Sequence, residues 1–149
     1  MGLRAALGDG PVALDTVVFI YFIEEDPRFL GLVEPIFSGI DQGRWQAVTS
    51  GLTLLEVLVV PYRSGNAALA DRYEALLTRS RGLRLVELDH RLLRAAAQLR
   101  AAVRVRTPDA IQLAAALTAG CPVYVTNDRA LPAMPGLRAL QLRDYLKRI

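Results

Sequence analysis

The chain has 149 residues, 52% of them hydrophobic, which suits one domain with one sizeable core and argues against disorder. Its 18 basic and 15 acidic side chains leave a net charge of +3, compatible with an acidic partner such as nucleic acid but too small an excess to demand one. A single cysteine, Cys121, and a single histidine, His90, exclude an internal disulfide, a cysteine-rich zinc site and most histidine-based catalysis.

A single domain spanning 1–149 is expected, in which residues 1–11 precede the first apolar segment either as a flexible N-terminal arm or as the product of a wrong start codon. Val12-Ala13-Leu14-Asp15 has the character of a short buried strand, and residues 16–24 that of a buried helix, apolar nearly all round. The apolar stretch there is too short to cross a membrane and is closed by Glu24-Glu25-Asp26. With no signal-peptide pattern either, the expectation is a cytoplasmic protein with no membrane partner. Asp26-Pro27 suits the start of a second helix running to about residue 39.

Gln46-Ala47-Val48-Thr49 is the next predicted strand, and Ser50 is placed to cap a helix over 52–63. A further helix is expected over 66–79, with Leu69, Tyr73, Leu76 and Leu77 on one face. Gly82 breaks it, and residues 83–88 alternate well enough for a strand. Asp89 caps a helix to about residue 103, with Leu92, Leu93, Ala96 and Leu99 facing inward. Thr107, as N-cap, and Pro108 open a helix over 109–119 that Gly120 ends. Residues 122–126 form a strongly apolar strand; residues 136–140 suggest a last one, followed by a short helix to Lys147. Strands separated by helices predict a three-layer α/β/α domain with a mainly parallel central sheet. Such sheets bind ligands beyond the carboxyl ends of their strands.

That rule draws attention to four acids. Asp15 ends the first strand and Asp128 follows the strand ending at Thr126, so both belong at that edge. Taken singly, each is also explained as a helix cap. Glu56 sits in Leu54-Leu55-Glu56-Val57-Leu58-Val59-Val60, where burying a carboxylate is costly unless it is paired or metal-bound; the alternative is that it points to solvent or meets an arginine. Asp109 lies in the first turn of its helix, where the dipole alone would favour it. As a group, four carboxylates repel, and protonation or a cation must relieve them. With little histidine or cysteine to offer, the chain would hold a hard ion, Mg2+ or Mn2+, one or two in number, able to activate water for attack on phosphorus.

Leu14-Asp15-Thr16, Thr53-Leu54-Leu55-Glu56-Val57, Thr107-Pro108-Asp109-Ala110-Ile111 and Val125-Thr126-Asn127-Asp128 resemble, in order and separation, the motifs of the PIN-domain family and, within it, of VapC toxins. The resemblance covers about residues 12–147. It implies an endoribonuclease with an acidic Mg2+ or Mn2+ site, a homodimer, and inhibition by a cognate antitoxin. By that similarity Asp15, Glu56, Asp109 and Asp128 map to the catalytic and metal site, and Thr16, Thr126 and Asn127 to its hydrogen-bonded surround. Thr126 is placed to orient Asp15, or else is an ordinary strand threonine satisfied by backbone. One departure is Arg129-Ala130-Leu131-Pro132 after the fourth acid, where many relatives carry an aromatic residue.

Arg129 and Arg106 flank the acids and are candidates for contact with RNA phosphates; solvated surface is the alternative. Two other functions stay open. One is a PIN-like module without activity that binds RNA or protein. The other is a Mg-dependent phosphatase, which would need a second Asp two positions after Asp15, where Val17 stands.

Overall fold

The computed structural model describes residues 2–146. Among them, five strands form one parallel sheet in the order β3-β2-β1-β4-β5, with β1 at Val12–Leu14, β2 at Ala47–Ser50, β3 at Leu83–Val86, β4 at Val123–Thr126 and β5 at Arg138–Gln141. The chain moves outward from β1 to β3, then returns to the other side of β1 to lay down β4 and β5. Right-handed crossovers therefore place the intervening helices on opposite faces, giving three layers.

One face is covered by α1 (Leu3–Leu7), α2 (Thr16–Ile23), α3 (Leu30–Asp41), α4 (Gly51–Arg63) and α5 (Ala67–Arg79), whose core includes Leu7, Val18, Phe19, Val33, Tyr73 and Leu77. The other is covered by α6 (His90–Ala102) and α7 (Thr107–Thr118). Every residue from Ala110 to Ala116 is buried, because α7 lies between the sheet and α6, and its alanines allow close approach on both sides. A 3-10 turn at Leu142–Tyr145 follows β5. The Lys147 end of the helix expected there lies outside the described residues.

Several expectations need correction. The N-terminal arm is instead a short helix whose Leu3, Ala6 and Leu7 are buried; the Trp45 indole N–H donates to Gly8 O at 2.8 Å and Arg138 Nη2 to Ala6 O at 2.6 Å. Asp26 caps only a turn, accepting from the Arg28 and Phe29 amides, and α3 begins at Leu30. Leu93 is exposed: the inward stripe of α6 is the narrower i, i+4, i+7 row of Leu92, Ala96 and Leu99. Arg106, not Thr107, caps α7, and the Thr107 hydroxyl accepts from Arg100. No helix among the described residues is long and apolar enough to cross a membrane.

Candidate functional site

In the order 3-2-1-4-5 the reversal of direction falls between β1 and β4, and a crevice opens beyond their carboxyl ends. Leu14 lies opposite Val125, so the next residues out, Asp15 and Thr126, are neighbours by register. The Asp15 amide donates to Val125 O at 2.9 Å, continuing the ladder to the crevice. Asp15 is then the N-cap of α2: its Oδ1 accepts from the Thr16 amide at 2.8 Å, and its Oδ2 from the Thr126 hydroxyl at 2.7 Å. Thr126 Oγ1 in turn accepts from the Asp128 amide at 3.0 Å. One threonine thus ties the loop after β4 to the acid after β1.

Glu56 comes from α4, which Ser50 caps by accepting from the Leu52 amide. The Thr16 hydroxyl donates to Glu56 Oε1 at 2.7 Å. Thr16 therefore clasps two carboxylates, Asp15 through its amide and Glu56 through its hydroxyl. Glu56 is nevertheless an exposed residue, which corrects the argument from burial cost. The apolar run around it is not a buried run: Leu55 is 59% and Val60 63% exposed, and only Val57 of this stretch is fully covered.

Asp109 stands in the first turn of α7, which starts at the same edge of the sheet, with Arg106 Nε 3.5 Å from its Oδ2. The buried hydroxyl of Tyr124, two residues before Thr126 on the same face of β4, registers the group. Burial first, then the charges of Asp15, Asp109 and Glu56, hold that phenol well above its usual range. The Asp15 carboxyl is itself pushed up, mainly by burial, with the nearby charge of Glu56 adding to it; the Thr126 hydroxyl, the Thr16 amide and the Tyr124 hydroxyl oppose the shift.

The remaining predicted residues are placed differently. Asp128 Oδ1 accepts from the Ala130 amide at 2.9 Å, shaping its own loop. Asn127 turns away from the acids, donating to the Tyr21 hydroxyl at 3.0 Å and accepting from the Arg143 amide at 3.0 Å. Arg129 pairs with Asp144 at 2.5 Å, in the open. Arg106 and Arg129 both remain largely solvent-exposed.

Beneath the carboxylates lies a buried polar layer that sequence reasoning missed. Thr49, Ser50, Thr53 and Gln112 are all buried and bonded to one another and to Thr16. The available signal was Gln112, a long polar side chain within the apolar run Ile111 to Ala116, one turn after Asp109.

The donors fit a hard divalent ion in kind, since all four are carboxylates. Among the described residues no three acidic, histidine or cysteine side chains come close enough together to ligate one ion. Mg2+ characteristically takes one or two carboxylates directly and keeps several waters. The Asp15–Glu56 pair held by Thr16 suits that mode.

Comparison with curated proteins finds no match. Among solved structures, the chain is similar to a toxin–antitoxin complex from Klebsiella pneumoniae (TM-score 0.64, 19% identity, covering 85% of this chain and 94% of that one). It is similar also to VapBC2 from Rickettsia felis bound to a promoter DNA fragment (0.63, 15%, 87% and 97%). A third is the sarcin–ricin-loop-cleaving toxin VapC20 of Mycobacterium tuberculosis (0.63, 15%, 80% and 91%). At these identities the likeness is one of fold. The sequence itself matches the family model of the PIN domain over residues 12–137, which takes in every strand except β5 and all four predicted acids, and the chain belongs to the PIN domain family.

Proposed function

We propose that this protein is a metal-dependent endoribonuclease that acts as the toxin of a toxin–antitoxin pair. The observation that carries the reading is the clasp at the switch point, where one residue, Thr16, holds Asp15 and Glu56 side by side. Membership of the PIN domain family and the likeness to toxin structures support it.

Asp15 and Glu56 are the residues that would hold Mg2+ or Mn2+ directly, with Asp109 and Asp128 as the further acids of the set. Such an ion supplies Lewis-acid polarisation of a phosphoryl oxygen and lowers the pKa of bound water. The chain's own residues do the rest. Thr126 and Thr16 fix both oxygens of Asp15. The amino-terminal turns of α2, α4 and α7 open at this edge, and their dipoles favour gathered negative charge. Glu56, exposed on one side, is free to take a proton from an attacking water. Arg106 and Arg129 are held only by exposed ion pairs, which are weak and can be exchanged for RNA phosphates. The uncovered Leu55, Val59, Val60 and Tyr62 of α4 support the homodimer implied by the family resemblance. The likeness to toxin–antitoxin complexes supports a cognate antitoxin as inhibitor.

The purified chain with Mn2+ is expected to cleave single-stranded or structured RNA, and Asp15→Asn to abolish cleavage. Expression is expected to arrest growth, with Asp15→Ala relieving the arrest. Intact RNA after incubation of folded wild-type protein with Mn2+, together with arrest that persists in Asp15→Ala, sinks the reading. An inert binding module is favoured by one observation, the lack of three convergent ligands among the described residues. Calorimetric Mn2+ titration separates the two: no binding, or binding unaffected by Glu56→Ala, favours the inert module.

A further inference from the structure

The buried layer under the site has only one consistent assignment of its hydrogens. The Thr49 hydroxyl reaches Leu14 O at 3.0 Å, and a carbonyl can only accept, so Thr49 spends its hydrogen there. Thr53, 2.7 Å from Thr49, must therefore donate to it. With its own hydrogen committed, Thr53 Oγ1 can only accept from Gln112, 2.8 Å away, so Gln112 must present its amide NH2 on this side. The same NH2 lies 3.2 Å from Thr16 Oγ1 and donates to it. Gln112 Oε1, on the other side, accepts from the Ser50 hydroxyl at 2.9 Å. Thr16, now an acceptor, has its hydrogen free for Glu56. Gln112 is 5% exposed, and both amide hydrogens and its oxygen have partners within the protein.

We infer that Gln112 is a positioning residue for the nuclease site: its buried amide sets the direction of the hydroxyl chain so that Thr16 donates to Glu56. This rests on the proposed function above, and deepens it by adding a residue that touches neither metal nor RNA. Reversing the amide would put Oε1 against Thr16 and Thr53. The Thr16 hydroxyl would then be drawn inward to that oxygen and lost to Glu56. Removing the amide leaves Thr53 Oγ1 a buried acceptor with no donor, 3.2 Å from Thr16. The Thr16 hydrogen turns to fill it, because Glu56 is exposed and has water as a substitute. In either case Glu56 is released from its place beside Asp15.

The test uses the whole chain with two readouts, Mn2+ affinity by titration calorimetry and steady-state RNA cleavage. Gln112→Met, similar in length and without donors, is expected to weaken Mn2+ binding and lower kcat by about 10–100-fold, with KM for RNA unchanged. Thr53→Val is expected to act in the same direction, while Thr53→Ser, which keeps the hydroxyl, retains wild-type affinity. Gln112→Glu, which cannot donate when ionised, is expected to lose at least as much as Gln112→Met. A folded Gln112→Met with wild-type Mn2+ affinity and kcat overturns the inference, even if its thermal midpoint falls. Should Gln112→Met not fold, Thr53→Val and Thr53→Ser decide, and equal Mn2+ affinity in those two overturns it. Wild-type protein that binds Mn2+ without cutting RNA removes the nuclease reading, while the Mn2+ series still judges Gln112. Wild-type protein that binds no Mn2+ removes both.

Discussion

At the N-terminal edge of the sheet, side-chain donors are spent on backbone carbonyls. The Trp45 indole N–H closes on Gly8 O, the Arg138 guanidinium closes on Ala6 O, and both fasten α1, a five-residue helix too short to persist unaided. At the C-terminal edge most polar side chains are spent on one another, as hydroxyl to carboxylate, amide to hydroxyl and hydroxyl to hydroxyl. The first arrangement satisfies helix-end carbonyls and seals the core. The second gathers carboxylates that repel one another, and it leaves Glu56 exposed and Asp15 partly so. A parallel sheet with its switch point at one end divides labour in this way: one edge is free to be closed for stability, and the other is kept open for a ligand.

The sharpest way to break that division is at Trp45. Its ring lies so close to Gly39 that a Cβ built there would meet Trp45 Cζ3 at 2.0 Å. Trp45→Ala is expected to cost about 3–5 kcal/mol, read by urea denaturation, through lost burial and the release of α1. Gly39→Ala, which forces the ring aside, is expected to cost about 1–3 kcal/mol. Mn2+ affinity of the folded fraction should stay at the wild-type level in both. A fall in affinity matching that of a variant at the open edge would show that the two edges are not independent.

Thr126→Val tests the open edge with the smaller effect that a single hydroxyl carries. It deprives Asp15 Oδ2 of its donor and the Asp128 amide of its acceptor at once. A loss of about 10–100-fold in kcat is expected, equal to about 1.4–2.7 kcal/mol of activation free energy. Thr126→Ser should restore most of it. Wild-type turnover in Thr126→Val would mean that the strand register alone holds Asp15.

Much of this edge can be read without coordinates, because strands that end on Asp15 and Thr126 are visible as apolar runs closed by polar residues. Once the sheet is parallel, register makes them neighbours. Three features cannot be read that way. Residues 3–7 are too few to show a helical period, so α1 looks like an arm. The apolar run around Glu56 suggests burial, yet a helix at the rim exposes Leu55, Val59 and Val60 while Glu56 leans back to Thr16. Gln112 falls among alanines that read as core, and its partners Thr53, Ser50 and Thr16 lie 59, 62 and 96 positions earlier in the chain. Periodicity records which side chains face inward, but not which inward-facing polar groups will meet.

Asp15→Asn sharpens the comparison from the side of stability. Burial raises the Asp15 carboxyl, so its ionised form is disfavoured in the folded chain relative to the unfolded one. The folded state then binds the proton more tightly, and stability falls as pH rises from the ordinary carboxylate range through the raised value. Asn keeps an acceptor for the Thr16 amide and carries no charge. It is expected to be more stable than wild type at pH 7–8, with a higher Tm. The advantage should shrink as pH falls and Asp15 becomes protonated in both states. A variant less stable than wild type at pH 8 would show that the Thr126 and Thr16 hydrogen bonds outweigh burial.

The smallest effect belongs to Arg106, whose contact with Asp109 is long, at 3.5 Å, and whose side chain is 83% exposed. As a structural ion pair it is worth little, and Arg106→Ala should change stability by less than about 0.5 kcal/mol. As a phosphate contact it would count differently. The log–log dependence of RNA affinity on salt should lose about one unit of slope, uniformly across RNA sequences, with kcat at saturating RNA unchanged. A lowered kcat with an unchanged salt slope would instead place the Arg106 guanidinium at the reacting phosphate, or in control of Asp109. That would extend the catalytic crevice from the switch point out along the first turn of α7.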